Sequence, residues 1–163
     1  MSIDIKIENE NELFEKYKEL FVHKDNIRIS LMGFGFAVGD GWYDLVRLCC
    51  EKIKNAVDQH NEKYDTFHNR VKGTTNEKHW HNPPKNKVEY PQVAQVKEKF
   101  GGLRFYTNGC DAEIYESIQG ALDFAESMSF TICEDCGNKG KLREDRPWIK
   151  TLCDKCYEVK NID

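Results

Sequence analysis

The chain has 163 residues, 39% of them hydrophobic and 32% charged, with a formal net charge of −4, which suits one domain with its own core and at most a small appendage. No apolar run is long enough to span a bilayer and no signal-peptide pattern opens the chain, so the expectation is a soluble, cytoplasmic protein with no membrane partner. The acidic balance argues against a clamp for duplex nucleic acid, but it is uneven: residues 1–63, 64–106 and 107–163 carry −3, +4 and −5.

In chain order, NENELFEKYKELFV (9–22) places Leu13, Phe14, Tyr17, Leu20 and Phe21 at helical spacing behind a polar start. IRISLM (27–32) alternates apolar and polar residues and predicts a short strand. The loop GFGFAVGDGW (33–42) follows. A loop between strand and helix can receive a phosphate, but Gly33-x-Gly35-x-x-x-Gly39 is one residue longer than the dinucleotide fingerprint, and Asp40 would repel an anion. Two readings stay open: Phe34, Phe36 and Trp42 pack inside, or they form an aromatic platform for a base.

A long helix is expected from Asp40 as N-cap, with Trp42, Leu45, Val46, Cys49, Ile53, Ala56 and Val57 on its core face. Asp40 and Asp44, four apart, suit either capping and first-turn charge or acid-base work. From about 63 to 91 the periodicity fades, and the expectation is a long loop that is mobile or takes part in function. His79 and His81 within it could hold a metal or simply be solvated.

VAQVKEKFGGLRFY (93–106) reads as a hairpin turning at Gly101-Gly102. Alternation puts Ala94, Val96, Phe100, Leu103 and Phe105 on the core face. Gln95, Lys97, Lys99, Arg104 and Tyr106 fall on the other. That polar face is either the solvated side of a half-exposed sheet or an anion-binding surface, in the only basic part of the chain. A second helix follows, with Asp111 near its start and Ile114, Ile118, Ala121, Leu122, Ala125 and Met128 along one face.

Seven cysteines, an odd number, include two Cys-x2-Cys pairs separated by sixteen residues: Cys133 and Cys136, then Cys153 and Cys156. Four thiolates in this spacing suit a closed tetrahedral zinc site, whose role is folding because no coordination position is left for substrate. Arg143, Arg146 and Lys150 between the pairs offer either a nucleic-acid contact or a solvated hairpin. Cys49, Cys50 and Cys110 read as small buried residues, since no flanking base would activate them.

GDGWYDL (39–45), QVKEKFGGLRFY (95–106) and the ending CEDCG with TLCDKC resemble, in that order, a group of small proteins of tailed bacteriophages and prophages. The resemblance spans most of the chain from about Gly33 and implies a setting, the cytoplasm of an infected bacterium, rather than an activity.

The expected architecture is α+β: amphipathic helices on a small, mainly antiparallel sheet in residues 1–130, with a C-terminal zinc ribbon (131–163) packed on the same domain. The expected function is non-catalytic binding, and sequestration, of a small anionic, nucleotide-derived ligand. Gln95, Lys97 and Arg104 would contact phosphate or ribose, and Tyr106 with Trp42 or Phe36 would stack on a base. Two other functions are kept: a nucleic-acid or transcription-machinery accessory acting through the zinc ribbon, and a phosphoester hydrolase using Asp40 and Asp44. Self-association stays open.

Overall fold

The computed structural model describes residues 7–160. Helix α1 (Glu10–Lys16) and a 3-10 turn (Lys18–Leu20) lead into largely irregular chain with 3-10 turns at Met32–Phe34 and Asp40–Trp42, from the last of which α2 (Tyr43–Thr66) continues. Strands β1 (Gln92–Lys99) and β2 (Gly102–Asn108) form an antiparallel hairpin, followed by α3 (Ala112–Ser129). A smaller antiparallel pair, β3 (Lys141–Arg143) and β4 (Lys150–Leu152), and the short α4 (Asp154–Val159) complete the cysteine module. The fold is α+β.

The apolar stripes of α2 and α3 face each other and the inner face of the hairpin. Val46, Cys49, Cys50, Ile53 and Val57 of α2 meet Ile114, Ile118, Leu122 and Ala125 of α3 and Val93, Val96 and Leu103 of the hairpin in one core. Leu13, Tyr17, Leu20 and Phe21 close it from the N-terminal side. Asp111 caps α3 as its sequence position predicts, accepting from Glu113 N at 2.8 Å.

Four local expectations are corrected. Residues 27–32 form turns rather than a strand: Leu31 N donates to Ala94 O (2.7 Å), and Ser30 Oγ turns inward to Val93 O (3.0 Å), so the alternation reflects contacts with β1. Asp40 does not cap α2; its Oδ1 accepts from Glu8 N (2.8 Å). The segment after residue 63 stays helical to Thr66, then widens through a π-helical turn, Phe67–Val71. Beyond that turn the segment is tied to α2, through His60 Nε2 and Asn86 O (2.9 Å) and a two-way bond between Asn61 and Val88, and to the π-helical turn, through His68 Nε2 and Pro84 O (3.2 Å).

The fourth correction concerns the hairpin turn. Lys99 pairs with Gly102, so the two central residues are Phe100 (φ 53°) and Gly101 (φ 78°), both left-handed as a two-residue turn matched to strand twist requires. That geometry throws Phe100 outward, where it is 64% exposed instead of joining the core. An extra residue in β1, Ala94, sits as a bulge between Val93 and Gln95, so Val93 fills the buried position and Ala94 is half-buried.

Candidate functional site

The two Cys-x2-Cys pairs come together. The sulfurs of Cys133, Cys136, Cys153 and Cys156 all lie within 4.8 Å of one another, and Cys136 Sγ to Cys153 Sγ is 3.6 Å. A tetrahedral thiolate site with bonds of about 2.3 Å needs sulfurs roughly 3.8 Å apart, so the set could hold a metal ion. Local backbone prepares it: Gly137 takes a positive φ of 77°, its N–H donates to Cys133 O, and Cys156 N donates to Cys153 Sγ (3.4 Å). The backbone N–H of Asn138 draws the Cys136 thiol down to about 7, while burial pushes the thiols of Cys133 and Cys156 up. His79 and His81 join no such group among the described residues.

The first cysteine knuckle does not stand free; the GDGW loop is folded onto it. Gly41 N donates to Glu134 O (2.8 Å), Gly39 N to Glu134 Oε1 (3.2 Å), and the Trp42 indole N–H to Ile132 O (2.8 Å). The approach is so close that a Cβ on Gly41 would stand 2.1 Å from Cys133 O, and one on Gly39 2.5 Å from Glu134 O. Glu134 is 1% exposed, and its carboxylate is held by Lys150 Nζ at 2.8 Å. Burial pushes this carboxyl up, with Lys150 opposing the shift. The hairpin turn docks on the second half of the module, where Thr151 Oγ1 donates to Gly101 O (2.7 Å). The three sequence motifs therefore meet at one junction.

This junction removes two expected ligand residues. Trp42 and Phe36 are each 0% exposed. Trp42 is pinned by its indole bond, and Phe36 stacks on Phe14 (centroids 5.0–5.8 Å apart across the Phe14, Phe21 and Phe36 cluster). Neither can stack on a base, because the core covers both faces of each ring.

The remaining four expected residues do share a face. In the observed register Lys97 lies opposite Arg104 and Gln95 opposite Tyr106. Tyr106 is exposed, and Lys97 Nζ lies 5.9 Å from its ring centroid. Arg104 also reaches sideways to Glu126 of α3 (2.5 Å) and to Leu103 O (3.1 Å). Glu126 was not legible as a partner because nothing in α3's pattern says which strand it meets.

A cleft of about 480 Å³ opens between β2 and α3, lined by Arg104, Tyr106, Tyr115, Gln119, Asp123 and Glu126 among others. The other candidates are engaged locally. Arg143 binds Asp154 (2.5 Å) and lies over the Tyr157 ring, Arg146 stacks on the same ring, and Asp44 pairs with Arg47 (3.4 Å). Cys49 and Cys50 are buried, with the Cys49 thiol pushed up to about 12 by burial, and Cys110 is half-buried and also raised. No helix among the described residues is long and apolar enough to cross a membrane.

Comparisons of the chain with family models, with curated proteins and with solved structures return no match.

Proposed function

We propose that the protein is a non-catalytic binder of a small anionic, nucleotide-derived ligand, with structural zinc at its four cysteines and the outer face of the β1–β2 hairpin as its recognition surface. The observation that carries the reading is the cross-strand pair Lys97 and Arg104, flanked by the pair Gln95 and Tyr106. Like charges directly opposite on a sheet face destabilise it, and Lys97 has no carboxylate within 4 Å among the described residues. Glu126 already offsets the charge of Arg104, so Lys97 is the cation of the pair without a carboxylate, and an anion beside it would supply one, with Tyr106 as a phenol donor or stacking ring. Arg104 would exchange Glu126 for the ligand's phosphate. The bacteriophage resemblance supplies the setting, a host cytoplasm where such a ligand would be a nucleotide signal.

Zinc fits because the four thiolates form a closed site, and its work would be to hold the knuckle on which the GDGW loop rests. Arg143 and Lys150 are already paired with Asp154 and Glu134, and Arg146 lies over Tyr157, which makes the cysteine module a weaker nucleic-acid surface. Asp40 accepts the Glu8 amide, which weakens the hydrolase reading.

Calorimetry of the zinc-loaded protein with cyclic dinucleotides, ADP-ribose derivatives and mononucleotides tests the proposal. One class should bind at physiological salt and be recovered intact, with Lys97→Ala weakening it about 10- to 100-fold, the worth of one charge-assisted hydrogen bond. Absence of binding across the panel, or an unchanged affinity in Lys97→Ala, would sink the reading.

A further inference from the structure

The β1–β2 hairpin has two outer edges, and they are treated differently. The β1 edge is covered by residues 31–37: Leu31 N donates to Ala94 O (2.7 Å), Ala37 N to Val96 O (3.0 Å), and Glu98 N to Ala37 O (3.1 Å). On the β2 edge only the first outward amide is occupied, with Leu103 N donating to the buried Ser129 Oγ at 2.9 Å. Backbone groups of a strand alternate in direction, so the peptide groups of Phe105 and Thr107 point the same way as that of Leu103, away from β1. Among the described residues no donor or acceptor meets them. An open strand edge of this kind is a template for pairing with another extended chain.

What faces this edge is the cleft, and its far wall is α3. Tyr115, Gln119, Leu122, Asp123 and Glu126 line it at positions that repeat along one side of the helix. The span from Tyr115 to Glu126 is about 16 Å at the helical rise, and Leu103 to Thr107 about 13 Å at the strand rise, enough for four or five residues of extended chain. The acidic groups on this wall are Asp123 and Glu126, and α3 contains no lysine or arginine. Among the described residues the one cation lining the cleft, Arg104, is paired with Glu126 at 2.5 Å. Tyr106 and Tyr115, both exposed, supply apolar rings to either side.

We propose that this cleft is a peptide-docking groove, taking an extended segment of a partner protein by strand addition to β2, and that the segment is basic, alternating lysine or arginine with apolar residues. The backbone of Phe105 and Thr107 supplies the ladder bonds, which any sequence can satisfy. Asp123 selects cationic side chains, Glu126 being already paired with Arg104, and an acidic segment is rejected by the same carboxylate. The groove adjoins the anion-binding face proposed above and shares Arg104 and Tyr106 with it: the ligand lies on the flat of the hairpin beside Lys97, the peptide along its free edge.

Fluorescence anisotropy with the zinc-loaded full chain tests this, using labelled Lys-Val-Lys-Val-Lys as probe and Glu-Val-Glu-Val-Glu as its charge reversal. The basic peptide should bind and the acidic one should bind at least tenfold more weakly. A basic peptide N-methylated at alternate residues, which cannot donate to the edge, should lose binding, a result that needs no change in the protein. Thr107→Pro removes an outward N–H at an edge, where proline is tolerated, and should weaken binding at least tenfold with the circular dichroism unchanged; Asp123→Lys should invert the charge preference. No binding of the basic peptide at millimolar concentration, equal binding of both charges, or full binding of the N-methylated peptide would overturn the proposal. So would concentration-dependent dimerisation abolished by Thr107→Pro, which assigns the edge to a second copy of this chain. The peptide titration is run without nucleotide, and Lys97→Ala, which lies outside the cleft lining, should leave peptide binding unchanged while weakening nucleotide binding, so the two readings fail separately.

Discussion

Replacing Gly41 by alanine adds one methyl group at the contact that joins the GDGW loop to the first cysteine knuckle. The added Cβ would meet Cys133 O at 2.1 Å, Gly137 N at 2.5 Å and Glu134 O at 2.6 Å. All three are backbone atoms of the knuckle, so no side chain can swing away and the loop itself must lift. Overpacking of this kind costs about 1–3 kcal/mol, and losing the 2.8 Å bond from Gly41 N to Glu134 O adds about 1 kcal/mol. A total near 3 kcal/mol corresponds to a fall in Tm of about 6–12 °C for a chain of this length. If the whole cost falls on the docked state, it also means roughly a hundredfold weaker apparent metal affinity. Differential scanning calorimetry and competition for zinc against a chelator read the two effects. Gly120→Ala is the matched control: nothing lies within 4 Å of its Cβ and it sits exposed within α3, so alanine should stabilise by about 0.5–1 kcal/mol. Gly41→Ala with unchanged Tm and zinc affinity would refute the argument that the glycines serve this docking.

Stripping a metal ion from the four cysteines with a chelator should perturb Trp42, whose indole bonds to Ile132 O beside Cys133, as well as the module itself; a tryptophan emission spectrum that does not change on chelation would contradict the coupling. Ser129→Ala leaves the outward amide of Leu103 unpaired in a buried place and should cost about 1–3 kcal/mol in denaturant unfolding; a loss below a few tenths would show that water replaces the hydroxyl. With a thiol pKa of about 12, Cys49 carries roughly one part in ten thousand of thiolate at pH 8. Iodoacetamide should therefore label Cys110 before Cys49 or Cys50, the Cys49 rate rising about tenfold per pH unit while the fold persists, and peptide mapping that finds Cys49 labelled first would disprove it.

Much of the local structure was legible in the residues alone, for reasons that can be named. Helices α2 and α3 announce themselves because a buried stripe must recur at 3.6 residues, and the cysteine pairs because two short knuckles are what a tetrahedral thiolate site needs. The polar face of the hairpin, Gln95, Lys97, Arg104 and Tyr106, followed from the two-residue period of a strand. The misassigned pieces share a cause. The alternation at 27–32 and the aromatics Phe36 and Trp42 were read by composition, which records that a side chain prefers cover or a partner but not what provides it.

By itself, then, the sequence determined that α2, α3 and the β1–β2 hairpin form, which side of each helix is apolar, and where a metal could be gathered, because these depend on neighbours a few residues away. Only the tertiary structure decided that GDGW is a seat for the cysteine knuckle, that Arg104 meets Glu126, and that one edge of the hairpin is covered while the other opens on an acidic helix. Those outcomes depend on contacts such as Gly41 with Glu134, brought together through space by the packing of α2, α3 and the hairpin, and no local period encodes them.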